Sequence, residues 1–507
     1  MPIGNLIAGA AQIMANSAAL SLSRRHYGWS WPLAVGLFSF CVMLALGPRD
    51  LADPDIFMHL VTGRWILAHG AVPHADFLSF SMQGAPWTAH EWLSEVLTAL
   101  AYDAMGWHGV VVLASLCLAL AMAALTRALL RSLEPIYVLV LVAVTLLLLL
   151  PHLIARPHLF VWPLLVAWVA ALCEARDAKK PPPLTLALIM IPWVNLHGSF
   201  LFGLGFAVLL GAEAVADARD MRDRMAAARQ WGAFIAVSAL ASLVTPNGFD
   251  AYLLPYHLLG MKYVLSILVE WQSPGLGMFQ PLEVWLLGAL LTGFTLRLTL
   301  PIARLLIVLL LVHMALGHWR HETLLAFAVP LLIAQPVAAQ IRPRFARSNA
   351  AGLDRLMATL VPPAGWGGMA VAGLLMAALT AIATTKPLDL PSLYRPEAAV
   401  QAALDHPIAG PVLNDYNFGG YLIFAGIPTF IDGRADMYGD AFVERDGKAV
   451  QGLNGELPAL LDEYKITWTL FAPDSPAVVQ LDRLPGWRRL YADDVAVVHI
   501  RTGNGPG

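Results

Sequence analysis

Uncharged apolar runs alternate with short polar loops along most of this chain. Eleven stand out, near 31–47, 108–126, 135–150, 159–173, 182–194, 199–212, 230–245, 284–296, 303–317, 323–339 and 366–384. Runs of this kind predict a polytopic α-helical membrane protein of about eleven transmembrane helices. Several fall short of the ~20 residues of a full span, so their ends are soft. A further stretch, 87–105, contains Glu91, Glu95 and Asp103 and is read as a helix lying at the interface. Residues 3–22 are mildly apolar but broken by Asn5, Gln12 and Asn16, with no basic start or clear cleavage site. They are expected to form a surface-lying helix and not a signal peptide.

From about Thr385 the pattern changes. Short β-rich segments (PVLNDY, GGYLIFAG, PTFIDGR, ITWTLFAP) alternate with helical stretches near 396–406 and 456–465. This predicts a small α/β domain over 385–507, after a membrane domain over 1–384 whose first outer loop is 48–107.

Composition sharpens the membrane assignment. Of 507 residues, 58% are hydrophobic and 13% charged, with mean hydropathy +0.64. A soluble protein needs more charge to cover its surface. The net charge of −3 gives no reason to expect a nucleic-acid partner. Cys41, Cys117 and Cys173 all lie inside apolar runs, so no metal or disulfide framework follows from them.

Positive charge sets the orientation. With the N-terminus inside, the inner loops hold seventeen Lys and Arg and the outer loops five: Arg49, Arg64, Arg156, Lys262 and Arg320. Cytoplasmic loops should carry that excess. Treating 87–105 as a true span would reverse every later loop and destroy the bias. The expected topology therefore puts the N-terminus in the cytoplasm and the α/β domain on the extracytoplasmic side.

That topology collects unusual polar residues on the outer side. The first loop supplies Asp53, Asp55, His59, His90, Glu91 and Glu95. Later outer loops supply His152, Arg156 and His158, then Asn195 and His197, then Glu270, then His318, Arg320, His321 and Glu322. Convergence of acids, histidines and arginines at one interface suits an anionic or highly hydroxylated substrate. Each residue also has a plainer role. Asp53 before Pro54 can cap the following helix, Asp55 can partner His59 one turn on, and Arg320 can pair with Glu322. The string HEWLSE lacks the second histidine of a zinc-protease motif, since Ser94 stands there.

The first outer loop resembles that of the GT-C superfamily of membrane glycosyltransferases, which includes protein O-mannosyltransferases, aminoarabinose transferases and oligosaccharyltransferase catalytic subunits. The shared features are an acid after the first span, a helix, a glycine, a proline-containing stretch and a second helix near Pro86-Trp87. The segment DIFMHLVTGRWILAHG, 55–70, has the family's length and makes Asp55 the matching acid. AHEWL, 89–93, departs from the Lys-Pro-Pro-Leu of one branch. The chain also looks like uncharacterised bacterial proteins with the running pattern D-x-D-x-W-W-H, H-E-W-L, R-P-H, N-x-H-G and D-G-R. NDYNFGGYLI, 414–423, echoes an acceptor-reading motif through Asp415, Tyr416 and Gly419.

The resemblance implies a transferase that moves a sugar from a polyprenyl-phosphate or diphosphate carrier to a glycan, lipid or protein acceptor. Asp55 would be the catalytic base, with Asp53 beside it. His59, His90, Glu91, Arg156, His158, Asn195, His197, Arg320 and His321 would bind substrate and lipid phosphate. Asp415, Tyr416, Asp432 and Arg434 would read the acceptor, the alternative for the last two being an internal Asp432–Arg434 turn pair. One branch of the family uses a divalent ion (Mg or Mn), for which Asp53, Glu91 and Glu270 are the expected ligands; another needs none. Two other classes fit the same loops: a transporter or flippase of lipid-linked glycans, and a non-catalytic envelope scaffold.

Overall fold

The computed structural model describes residues 28–275, 277, 279–345, 353–406 and 408–502. The expected surface helix over 3–22 lies outside them. A helix stands at each of the eleven apolar runs. Five helical segments are long and apolar enough to cross a membrane: Trp31–Arg49, Trp107–Leu129, Pro135–His152, Trp319–Ile341 and Trp366–Thr384. Leu184–Leu196, Phe200–Ala216, Pro281–Thr295 and Ile302–Gly317 are shorter apolar helices.

Local sequence explains where these helices begin and meet. Ser30 Oγ accepts from Leu33 N and Pro32 occupies the first turn, starting Trp31–Leu46. That helix lies close against Trp107–Leu129, because a Cβ on Gly36 would stand 3.2 Å from Ala119 O. The core below the site is aromatic: Trp162, Trp168 and Trp193 are fully buried, with Trp168 Nε1 donating to Gly203 O at 2.8 Å.

At one end of the bundle, Arg304 is buried and donates to Glu213 at 2.7 Å, Asp177 at 2.8 Å and the Leu332 carbonyl at 2.9 Å. Arg176 joins the same network through Glu213 and Asp217. At the other end, the loops 48–55, 152–158, 197–199 and 270–272 meet the 3-10 turn Trp319–His321.

Residues 397–501 form an α/β unit around a four-stranded sheet of order β1-β2-β4-β3, where β1 is Val412–Asn414, β2 Trp468–Phe471, β3 Trp487–Ala492 and β4 Val497–Arg501. β1 runs parallel to β2, and the other pairs are antiparallel. The expected helices appear as Glu397–Asp405 and Glu456–Glu463.

Two expected strands are absent. GGYLIFAG folds as the helix Gly419–Phe424, with Tyr421, Leu422 and Ile423 all buried, so its continuous apolar run carries no strand alternation. PTFIDGR is extended but stands outside the sheet. Its backbone partners lie in the first outer loop, through Phe80 N to Thr429 O at 3.0 Å and Thr429 N to Leu78 O at 3.3 Å.

Candidate active site

Pro54 separates two aspartates that meet opposite environments. The Asp53 side chain is fully buried and accepts from Arg156 Nε at 2.7 Å and Nη2 at 2.8 Å, and from the Asp55 backbone N–H at 3.1 Å. Burial works against its ionised form, but the Arg156 charge and hydrogen bonds outweigh it and hold Asp53 below the usual carboxylate range. Asp53 is therefore a positioned counter-ion and not a free base. Asp53 accepts from the Asp55 N–H just before Ile56–His69, whose N-cap residue is Asp55, with no side-chain cap bond, so Asp53 is not the cap.

Asp55 is 24% exposed, and its nearest ion-pair partner is Arg156 Nη2 at 3.6 Å. Among the described residues no hydrogen bond ends on its carboxyl oxygens. Burial and the Asp53 charge raise it to about 7, against the opposing pull of Arg156 and His59.

Asp55 lines a cavity of about 240 Å³. Arg156, Glu270 and Arg320 form a chain along its mouth: Arg156 Nη1 donates to Glu270 Oε2 at 2.9 Å and Arg320 Nη1 to Glu270 Oε1 at 3.2 Å. Arg320 also lies over the Trp271 ring at 4.5 Å. Glu270 thus holds two guanidiniums that would otherwise face each other. Part of the cavity's lining is apolar, with Trp162, Trp193, Phe202, Trp319 and Leu324.

The histidines divide by charge. His59 Nδ1 lies 3.3 Å from Glu95 Oε1. Burial disfavours its cation, but the Glu95 hydrogen bond and the charges of Glu91, Glu95 and Asp55 raise it to about 9. His158 goes the other way, to about 3, through burial and the nearby Arg156 charge. His197 is held well below its ordinary value by burial and by Arg320, so both rings are neutral. Glu91 stands 3.5 Å from His197 Nε2 and 3.7 Å from His90 Nε2. His321 lines the cavity with Nδ1 at 3.2 Å from Met314 O, and His152 reaches Glu322 at 3.1 Å.

Several expected residues are committed elsewhere. Asn195 does not line the cavity; it accepts from Trp92 Nε1 at 2.7 Å and donates to the Ile191 and Val244 carbonyls. Asp53, Glu91 and Glu270 do not assemble as metal ligands, because Arg156 occupies the space between Asp53 and Glu270. Among the described residues no group of three His, Cys, Asp or Glu is placed to hold a metal ion.

Asp432 and Arg434 form the internal pair at 2.7 Å, fully buried. Arg434 also reaches Asp76 at 2.6 Å and stacks over Trp87, while Tyr438 Oη donates to Asp432 at 2.8 Å. Neither side chain is open to an acceptor. Asp415 caps the turn Tyr416–Phe418 by accepting from Asn417 N at 2.9 Å. Burial and the Asp55 charge push the Tyr416 hydroxyl well above its ordinary value, so it stays protonated.

Sequence reasoning missed the aromatic wall, since tryptophans inside apolar runs look the same whether they face lipid or a cavity. It also missed Asp76, an isolated acid in a loop, and Gly433, treated only as part of a turn.

A many-helix bundle with a cavity at one end, one of whose lining residues, Asp55, is packed against an α/β unit, defines the class. No family model matches the chain, and no curated protein matches it. Among solved structures, the oligosaccharyltransferase AglB from Archaeoglobus fulgidus, in complex with an inhibitory peptide and a dolichol-phosphate, is similar over 87% of this chain and 69% of its own, with 10% identity and TM-score 0.52. ArnT from Cupriavidus metallidurans bound to undecaprenyl phosphate is similar over 94% of this chain and 98% of its own, with 14% identity and TM-score 0.49. The apo state of that protein gives 92% and 96%, 16% identity and TM-score 0.49. The likeness to AglB concerns the fold alone, which this chain shares over the covered residues.

Proposed function

We propose that this chain transfers a sugar from a polyprenyl-phosphate or diphosphate carrier to a hydroxyl of an envelope glycan, lipid or protein, at the periplasmic face of a bacterial inner membrane. The observation that carries the reading is the Asp55 carboxyl, without a hydrogen bond among the described residues, beside the Arg156–Glu270–Arg320 chain in a cavity with a partly apolar lining. An amphiphilic phosphate suits such a cavity: isoprenoid against the aromatic wall, phosphate against the guanidiniums. Support for a lipid-phosphate donor comes also from the fold shared with AglB, whose structure holds a dolichol-phosphate.

In this reading the acceptor oxygen attacks the anomeric carbon from the Asp55 side. The C–O bond to phosphate breaks, the electron pair leaves with the lipid phosphate, and Asp55 takes the acceptor proton. Attack opposite the leaving group inverts the anomeric centre. A carboxyl raised to about 7 is a stronger base than an ordinary aspartate and is ionised in half its copies at neutral pH. Arg156 and Arg320 stabilise the charge that grows on the phosphate, replacing their Glu270 bonds by bonds to its oxygens. His59, charged near neutral pH, would add a further cation on the base side.

The test is purified protein with a panel of radiolabelled polyprenyl-phosphate sugars, with and without EDTA, beside Asp55→Asn. Turnover lost in the variant with donor binding kept supports the reading, and the EDTA arm decides metal dependence. Equal turnover by the variant removes Asp55 as base. Binding without turnover in either protein favours transport, and no binding to any donor removes the lipid-phosphate reading.

A further inference from the structure

The segments 418–434 and 48–55 are far apart in sequence but press together at the site. Gly420 packs so closely on the Pro54 carbonyl oxygen that a Cβ there would collide with it. Gly433 lies on Asp55 itself: a Cβ at Gly433 would fall on the carboxyl Oδ1, with Cγ 2.6 Å and Oδ2 3.1 Å away. Real Cβ atoms do not approach so near, so any side chain at 433 must move Asp55 or the loop.

The loop cannot move easily. Asp432 and Arg434, on either side of Gly433, are the two buried ends of the network with Asp76, Tyr438 and Trp87. Asp76 is anchored in turn, accepting from Leu78 N at 3.0 Å and Ser79 Oγ at 2.5 Å. Ser81 Oγ adds a bond to the Phe430 carbonyl at 2.5 Å. The first outer loop and the Asp432-Gly-Arg turn are therefore one rigid piece, with its glycine set against the carboxyl.

We propose that Gly433 is a positioning residue for Asp55. The Asp432-Gly-Arg turn forms the back wall that holds the carboxyl toward the cavity, so the C-terminal α/β unit completes the catalytic centre instead of serving as a separable acceptor-binding domain. The turn's two charged residues act by fixing the glycine. The role of Asp55 as base rests on the transferase reading; the contact between Gly433 and Asp55 does not.

Two measurements on the full chain in detergent keep these apart. The first is a double-mutant cycle on the melting temperature. Gly433→Ala is expected to lower it by several degrees in the native background and to have little effect beside Asp55→Ala, which removes the atoms that collide. The same loss in both backgrounds overturns the proposal, whatever the protein's activity. The second is turnover of a radiolabelled polyprenyl-phosphate sugar. Gly433→Ala is expected to lower kcat roughly 100-fold, with undecaprenyl-phosphate affinity unchanged. Native kcat in a folded Gly433→Ala protein also overturns the proposal. If Gly433→Ala does not fold, Arg434→Lys takes its place: it keeps the charge but loses the forked contacts to Asp432 and Asp76, and its kcat should fall while donor affinity holds. An unchanged kcat in that variant counts against the proposal.

Discussion

Replacing Arg156 by Met should expose how the two aspartates are held apart. The Asp53 side chain has no exposed area and takes two of its three hydrogen bonds from the Arg156 guanidinium. Without Arg156 the carboxylate keeps one backbone donor. Leaving one member of a buried pair uncompensated costs about 3–5 kcal/mol. Taking up a proton instead costs about 4 kcal/mol at pH 7 for an ordinary carboxyl. Both routes predict a loss of about 3–4 kcal/mol at neutral pH. In the double variant Arg156→Met, Asp53→Asn no charge is stranded, and the loss should fall to about 1–2 kcal/mol, the scale of the missing hydrogen bonds. The assay is unfolding of the purified chain in mixed micelles, followed by tryptophan fluorescence at two pH values. Burial without a cation raises the folded-state pKa of Asp53 in the single variant. Its penalty is therefore full above that raised value and shrinks as pH falls. A single-variant loss under about 1 kcal/mol, or an equal loss with and without the Asp53 charge, would refute the argument.

Three further outcomes follow from the same geometry. Turnover should rise as pH increases through about 7, where Asp55 loses its proton; a flat profile across that range in a chemistry-limited assay contradicts a base at Asp55. His59, raised from 6.5 to about 9 in the folded chain, contributes stability that is fully present below 6.5 and is lost as pH rises through about 9. Glu95→Gln should lower that folded value and flatten the melting-temperature curve over this window, and a curve unchanged by the substitution would remove the pair as its cause. Arg304→Met, at the far end of the helices, should cost about 1–3 kcal/mol in micelle unfolding, because buried Glu213 loses its Arg304 hydrogen bond but keeps Arg176 at 3.4 Å. It should leave undecaprenyl-phosphate affinity unaltered, and a large loss of affinity would show that the two ends are coupled.

What the sequence made legible was whatever depends on local polarity. The apolar runs mark helices because lipid and protein core demand the same residue types. Loop alternation put Asp55, His59, Glu91, Arg156, His158, His197, Glu270, Arg320 and His321 on one side, and all nine line one cavity. Roles that depend on partners were harder to read. Asn195 sits among these residues in the pattern, yet its amide is spent on Trp92 and two carbonyls. The metal trio was read from charge alone, and sequence could not show that Arg156 bonds two of its members, Asp53 and Glu270. In the C-terminal unit, Gly419–Phe424 is buried along its length and offers no period to read, and the segment 428–434 finds its backbone partners about 350 residues away in the first outer loop. Strand β3 went unread because Arg488 and Arg489 interrupt its apolar alternation, and β4 because its five residues VVHIR are too few to show one.

The stretch DPDIFMH now has an internal logic. Arg156 gives Nε and Nη2 to Asp53 and Nη1 to Glu270, and makes no hydrogen bond to Asp55. Asp55, two residues on, meets the leftover field: the Asp53 charge pushes its proton affinity up, while Arg156 at 3.6 Å is too far for a hydrogen bond. Identical side chains with opposed environments are how a protein assigns one acid to structure and the other to proton transfer. Pro54 keeps the two apart, and its carbonyl lies against Gly420 while Asp55 lies against Gly433. The two acids, the arginine and the two glycines therefore constrain one another. A bulkier residue at 433 would swing Asp55 toward solvent or toward Arg156. Either move lowers its proton affinity, so the same substitution that misplaces the base would also weaken it.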